Sequence, residues 1–120
     1  MTAINEDFVF EVEDTLSVTL KAGTSYTAGM IVTLQNDGKY TNGIIVVPGA
    51  TLSGTQVAYE KQIVGILRED VDATSSDKVA VIITDGTFNQ NKIIFPSTQV
   101  YADVAGILQA KDLKMKGWNK

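Results

Sequence analysis

Cysteine and histidine are both absent from the 120-residue chain, and each absence removes a class of chemistry. Without thiols there is no disulfide framework, no cysteine nucleophile and no soft-metal site. Without imidazole there is no serine-histidine or cysteine-histidine pair and no ordinary zinc centre, so most hydrolytic mechanisms lack their base or their metal. Carboxylate, lysine and tyrosine chemistry remains. A surplus of positive charge is missing too: the formal net charge is -4 and the isoelectric point about 4.6. That balance repels phosphate backbones, so nucleic acid is not an expected partner. No apolar run approaches the roughly 18 residues of a membrane span. The opening MTAINEDFVFEVED has acids where a secretory signal has lysines, so neither a membrane role nor an address signal is expected.

What is present suits one domain, because a chain of this length can bury roughly two-thirds of its unfolded surface without staples. Charge is unevenly placed. Glu6, Asp7, Glu11, Glu13 and Asp14 all precede the first base, Lys21, whereas Lys111, Lys114, Lys116 and Lys120 crowd the end. The tails are either two solvated ends, or one of them meets a partner of opposite sign.

The apolar pattern predicts strands almost throughout. Phe8, Phe10 and Val12 alternate with Val9, Glu11 and Glu13, and Leu16, Val18 and Leu20 alternate with Thr15, Ser17 and Thr19, the period of a half-buried strand. In GMIVTLQNDGKY the pair Asp37-Gly38 supplies the positive φ of a tight hairpin turn. Asn42-Gly43 precedes a buried-type run, Ile44 to Val47, which Pro48 ends, and PGATLSGT reads as an exposed loop. QVAYEKQIVGIL and KVAVII read as strands flanking a polar gap, Asp85-Gly86 as a turn, and NKIIF as a strand stopped by Pro96. The period then changes. Val100, Val104, Ile107 and Leu108 form one helical stripe, opened by Ser97 or Thr98 as cap. Gly106 within it costs about 1 kcal/mol relative to alanine, which predicts a close approach on that side. DLKMKGW then predicts a closing strand. The fold class is mainly β with one short C-terminal helix, an α+β domain.

The gap holding Glu69, Asp70, Asp72 and Asp77 is the first candidate site. As a calcium loop it fails at its defining places, since the sixth position is Ser75 and the twelfth Val81. Glu69 and Asp70, being adjacent, point to opposite faces of a strand and share no substrate. The gap reads as a turn. Tyr26, Tyr40, Tyr59, Tyr101 and Trp118 could stack a ligand, but core and rim packing is the commoner use of scattered aromatics. Lys111, Lys114 and Lys116 read as a lysine-blunted strand edge.

VGILREDVDAT, followed by DKVAVIITDGTFNQNKIIFP and then a helix and a short strand, resembles the lambda-type head decoration proteins of tailed phages. The likeness lies in the order of Gly65-Ile66-Leu67, the acidic turn, Asp85-Gly86, Phe88 and the Phe95-Pro96 step. It runs from Gly23 to Met115 when AGTSYTAGMIVTL is taken as the early strand pair, and is densest from Val64 to Pro96. The tail GWNK with Trp118 runs past that pattern.

The resemblance implies a compact β-barrel-like or sandwich-like decoration-protein fold that performs no chemistry. It implies a capsid-stabilising cement protein, made in the host cytoplasm and bound as a homotrimer to the outer surface of the expanded head. Its partner would be the major capsid protein, with no cofactor, metal or small-molecule substrate. The segment before the family's folded body is an arm that adds a strand to a capsid subunit. Residues 1–14 stand in that position, ahead of a single decoration domain at 15–120, and Ile4, Phe8, Val9, Phe10 and Val12 would supply the capsid-binding face. Because these residues are acidic and strand-like, an edge strand of the domain is the other reading of 1–14. A carbohydrate- or receptor-binding module on the same β scaffold is the alternative function.

Overall fold

The structure is a computed structural model, and it describes residues 8–52, 54–96 and 99–116. Eight strands are present among them: β1 (Val9–Leu20), β2 (Thr24–Tyr26), β3 (Ile31–Leu34), β4 (Tyr40–Thr41), β5 (Val64–Leu67), β6 (Val71–Ala73), β7 (Lys78–Asn89) and β8 (Leu113–Lys116). One helix, α1 (Tyr101–Ala110), precedes β8. The domain is thus mainly β with a single C-terminal helix, as the pattern predicts.

The main sheet has the order β1-β4-β3-β5-β7-β8, and β1 also pairs with β7. The β1–β4 link is a single pair, Leu20 with Tyr40, too little to make a continuous barrel wall. The arrangement is sandwich-like, because both faces of the main sheet are covered. Ile31, Ile66 and Ile83 face a core shared with Val104, Ile107 and Leu108 of α1. Their neighbours Val32, Leu67 and Ile82 face a second core beneath the β2–β6 ribbon, with Tyr26 and Ala73. A strand buried on both faces needs apolar residues at consecutive positions, which is why VGIL and AVII read as runs.

Local chemistry explains several boundaries. The β3–β4 hairpin turns where Asp37-Gly38 requires, with Gly38 at φ 85° and its N–H donating to the Gln35 carbonyl at 3.0 Å. In α1 the Val100 N–H donates to Asp103 Oδ2 at 3.0 Å while the Asp103 N–H donates to the Val100 carbonyl at 2.9 Å. Val100, not Ser97 or Thr98, is therefore the cap residue; those two lie outside the described residues. Val104, Ile107 and Leu108 are buried as the stripe predicts, whereas Val100 is exposed. Nothing lies within 4 Å of a Cβ built on Gly106, so the expected close approach is not there.

Four further expectations are corrected. Asp85-Gly86 is no turn, because β7 runs straight through it. There a Cβ on Gly86 would overlap the Glu11 carbonyl oxygen of β1, so the glycine serves close strand approach instead of reversal. The polar gap contains β6, paired with β2. NKIIF forms no ladder strand: Gln90–Lys92 is a 3-10 turn and Ile94 makes only a single bridge to Met30. Within QVAYEKQIVGIL only Val64–Leu67 is strand, since Tyr59–Lys61 forms another 3-10 turn.

Candidate functional site

The first half of β1 is built differently from every other strand. Residues 10–17 are all exposed, although they are laddered to β7 from Val9 to Leu20. Backbone register accounts for it. Two β1 residues oppose one β7 residue between the pairs Val9–Phe88 and Glu11–Thr87, and further shifts follow between Val12, Asp14 and Thr15. Such bulges bend and twist a strand and re-aim its side chains. Phe8 is 3% exposed within the helix-side core, whereas Phe10, Val12 and Leu16 are 48%, 42% and 40% exposed. One edge of this half-strand faces β7. Among the described residues, the other edge meets no ladder before Leu20 reaches β4.

An exposed half-strand carrying apolar side chains is a surface to which a strand can be added. Alongside it runs a shallow groove of about 230 Å³, lined by residues 8–12, Arg68 and Ile83. Arg68 is the chain's sole arginine. Glu11, Glu13 and Asp14 are exposed along the same strand, giving it an acidic border.

Of the residues assigned to the arm by sequence, Ile4 lies outside the described residues. Phe8 is core, Val9 packs half-buried against that core, and Phe10 and Val12 are exposed. Arg68 joins the surface without having been anticipated. It arrives from just beyond the end of β5, which sequence spacing does not reveal.

Two acids of the polar gap tie it to distant loops, and a third braces the gap's own backbone. Asp70 Oδ1 accepts the Ala28 N–H at 2.8 Å. Asp72 Oδ1 accepts the Thr74 hydroxyl at 2.8 Å and its N–H at 3.1 Å, and these bonds hold its pKa below the usual carboxylate value. Asp77 accepts the Ala22 N–H at 2.8 Å and pairs with Lys39 at 2.8 Å. Lys39 is the chief cause of the lowered pKa of Asp77, followed by the Ala22 N–H. Among the described residues, no cluster of three metal-ligating side chains occurs. The tyrosines form no shared exposed face: Tyr26 and Tyr40 are core residues, and Tyr59 and Tyr101 are half-buried. Trp118 lies outside the described residues.

Residues 8–112 match the family described as bacteriophage lambda head decoration protein D. The chain belongs to that family. No individually curated protein matches it. This head decoration protein is a capsid-associated, non-catalytic component of a phage virion, and its place is at the capsid surface. Its association is with capsid proteins, not membranes. Among the described residues, no helix is long and apolar enough to cross a membrane.

Proposed function

We propose that this head decoration protein is a cement protein, binding the outer surface of the expanded head as a homotrimer and stabilising the shell. Residues 1–14 form the capsid-binding segment, in which Phe8 and Val9 anchor β1 on the domain's own core. Phe10 and Val12 meet the major capsid protein, and Ile4 extends the same segment. The observation that carries this reading is the solvent-exposed, acid-bordered half of β1 at residues 10–17, with Phe10 and Val12 on its surface. A capsid strand adding there gains main-chain hydrogen bonds along the edge and apolar contacts at alternate positions. The exposed Glu11, Glu13 and Asp14 favour a strand flanked by basic groups.

Three such edges per trimer make each later contact intramolecular, so modest affinity per edge becomes firm retention on a symmetric shell. Binding the assembled shell and not its separated subunits raises the shell's stability by mass action, by about 2.7 kcal/mol per site at a hundredfold excess over Kd. The test is the disruption temperature of empty expanded heads as the protein is titrated in. A rise that saturates at a fixed ratio to capsid subunits is expected. Heads that bind the protein with no change in disruption temperature would refute the cement role.

A further inference from the structure

Gly38, Gly43 and Gly86 each follow an aspartate or an asparagine. At such a pair the glycine's backbone nitrogen can attack the preceding side-chain carbonyl carbon and close a five-membered succinimide ring. Glycine permits this because it has no Cβ to crowd the attacking nitrogen and leaves the backbone free to rotate into the ring geometry. The fold treats the three pairs differently. At Asp37-Gly38 the Gly38 N–H donates to the Gln35 carbonyl at 3.0 Å. The Asp37 carboxylate accepts the Lys39 N–H at 3.0 Å and pairs with Lys21 at 3.1 Å. At Asp85-Gly86 the glycine is buried inside β7, its N–H donates to the Asp112 carbonyl at 3.1 Å, and Asp85 pairs with Lys114 at 3.4 Å. An ionised carboxylate is in any case a poor target for a nucleophile.

Asn42-Gly43 has none of these restraints. The pair lies just past β4, outside any strand, and is half-buried, so water reaches it. Among the described residues, neither the Asn42 side-chain amide nor the Gly43 N–H makes a hydrogen bond. The target here is a neutral amide, whose nitrogen leaves as ammonia.

We infer that Asn42 is a self-modification site, at which the folded chain deamidates spontaneously through a succinimide. The Gly43 nitrogen gives its proton to solvent and bonds to the Asn42 side-chain carbonyl carbon. The carbon–nitrogen bond of the side-chain amide then breaks, and ammonia departs with a proton from solvent. One water molecule opens the ring. Opening at the side-chain carbonyl gives aspartate, and opening at the main-chain carbonyl gives isoaspartate, in which the main chain runs through the former side chain. Water is consumed, ammonia is released, and nothing is oxidised or reduced.

Either product puts a negative charge into a stretch that has none between Lys39 and Glu60. Isoaspartate also adds an atom to the main chain between two anchors. On one side Thr41 is laddered to Thr33. On the other, Gln99 Oε1 accepts the Ile45 N–H and its Nε2 donates to the Ile45 carbonyl, both at 2.9 Å. Gln62, itself buried, clasps Val46 in the same way, at 2.7 and 3.0 Å. These amides stand in for a neighbouring strand. Only residues 42–44 lie between the anchors to absorb the added atom, so the isoaspartate form should unfold at a lower Tm.

The test is incubation of the full folded chain at neutral pH, followed by tryptic mapping and mass spectrometry. Cleavage after Lys39 and Lys61 releases residues 40–61, in which Asn42 is the sole asparagine. The expected result is the mass gain of amide-to-acid conversion in that fragment, isoaspartate detected there by isoaspartyl methyltransferase labelling, and none at positions 37 or 85. A synthetic peptide of residues 38–46 gives the rate without a fold. If the fold closed the site, reaction would wait for unfolding and run about a thousandfold or more below the peptide. A folded-chain rate within about thirtyfold of the peptide's supports the assignment, and a slower one overturns it. Gly43→Ala tests the route: a Cβ there meets only ordinary contacts, the nearest being Gln35 Nε2 at 3.4 Å, so the variant should fold while its methyl group slows ring closure. An unchanged rate in that variant overturns the succinimide route. The aged chain, separated from the fresh one by its added charge, should show the lower Tm, and an equal Tm overturns that consequence.

Discussion

Replacing Gly86 by alanine tests whether the exposed half of β1 is held by close backbone approach. Gly86 is buried in β7, faces Val12 in the β1 ladder and pairs with Leu113 of β8 on the other side. A methyl group there meets the Glu11 carbonyl oxygen, with Ile83 and Phe88 side chains next nearest. The obstacle is backbone, which cannot rotate aside, so β1 must lift from β7 or β7 must shift against β8. Overpacking of this kind costs about 2–3 kcal/mol. With an unfolding entropy of about 2.1 cal/mol/K per residue, a chain of this length should lose roughly 8–12 °C in Tm. The assay is thermal unfolding followed by circular dichroism and calorimetry. Hydrogen exchange should show lost protection first in residues 10–14, where the ladder is already irregular. A Tm within about 2 °C of the parent would refute the argument from close approach.

Gly106→Ala should act in the opposite direction, because the site is exposed and open. A gain of about 1 kcal/mol, or roughly 4 °C in Tm, is expected, and an unchanged or lowered Tm would contradict the reading of that glycine. Gln62→Ala removes both partners of the buried Val46 backbone and should cost about 2–4 kcal/mol by urea denaturation; a loss under about 1 kcal/mol would mean water replaces the amide. Asp37, Asp72 and Asp77 all titrate below the ordinary carboxylate value of 3.8 in the folded chain. The unfolded chain therefore binds protons more readily, and stability is full above the unfolded pKa and lost as pH falls through the folded values. Tm should hold from neutral pH to about 5 and decline below about 4, less steeply in Asp77→Asn; an identical decline in that variant would show that the Lys39 and Ala22 contacts do not contribute.

Much of this fold is legible where one physical cause dominates. The Asp37-Gly38 hairpin follows from positive φ alone, and the α1 stripe from burial on one side of a helix. Reading fails where a residue has two uses. Glycine beside aspartate signals a turn at 37–38, but at 85–86 the same pair marks a strand crossing too close for a side chain. Ile44 to Val47 looks like a buried strand because its middle residues are buried, while the groups that satisfy its backbone come from Gln62 and Gln99, far away in sequence. The candidate surface was half legible. Alternation identified Phe10 and Val12 but assigned Phe8 to the same face. A bulge separates them, and a one-residue register shift leaves no mark in composition. The acids of the polar gap read as a turn, but Asp72 lies within β6, a three-residue strand too short to show as alternation, and Asp70 and Asp77 accept backbone N–H groups from distant loops.

The most direct measurement is co-sedimentation with empty expanded heads, comparing the full chain with the double variant Phe10→Asp, Val12→Asp. Substitution is preferable to deleting residues 1–14, since Phe8 belongs to the core and residues 9–14 are laddered to β7. The account predicts that the full chain pellets with heads to saturation, and that the double variant stays folded in the supernatant. A double variant that pellets as well as the full chain, or a full chain that ignores the heads, would contradict it.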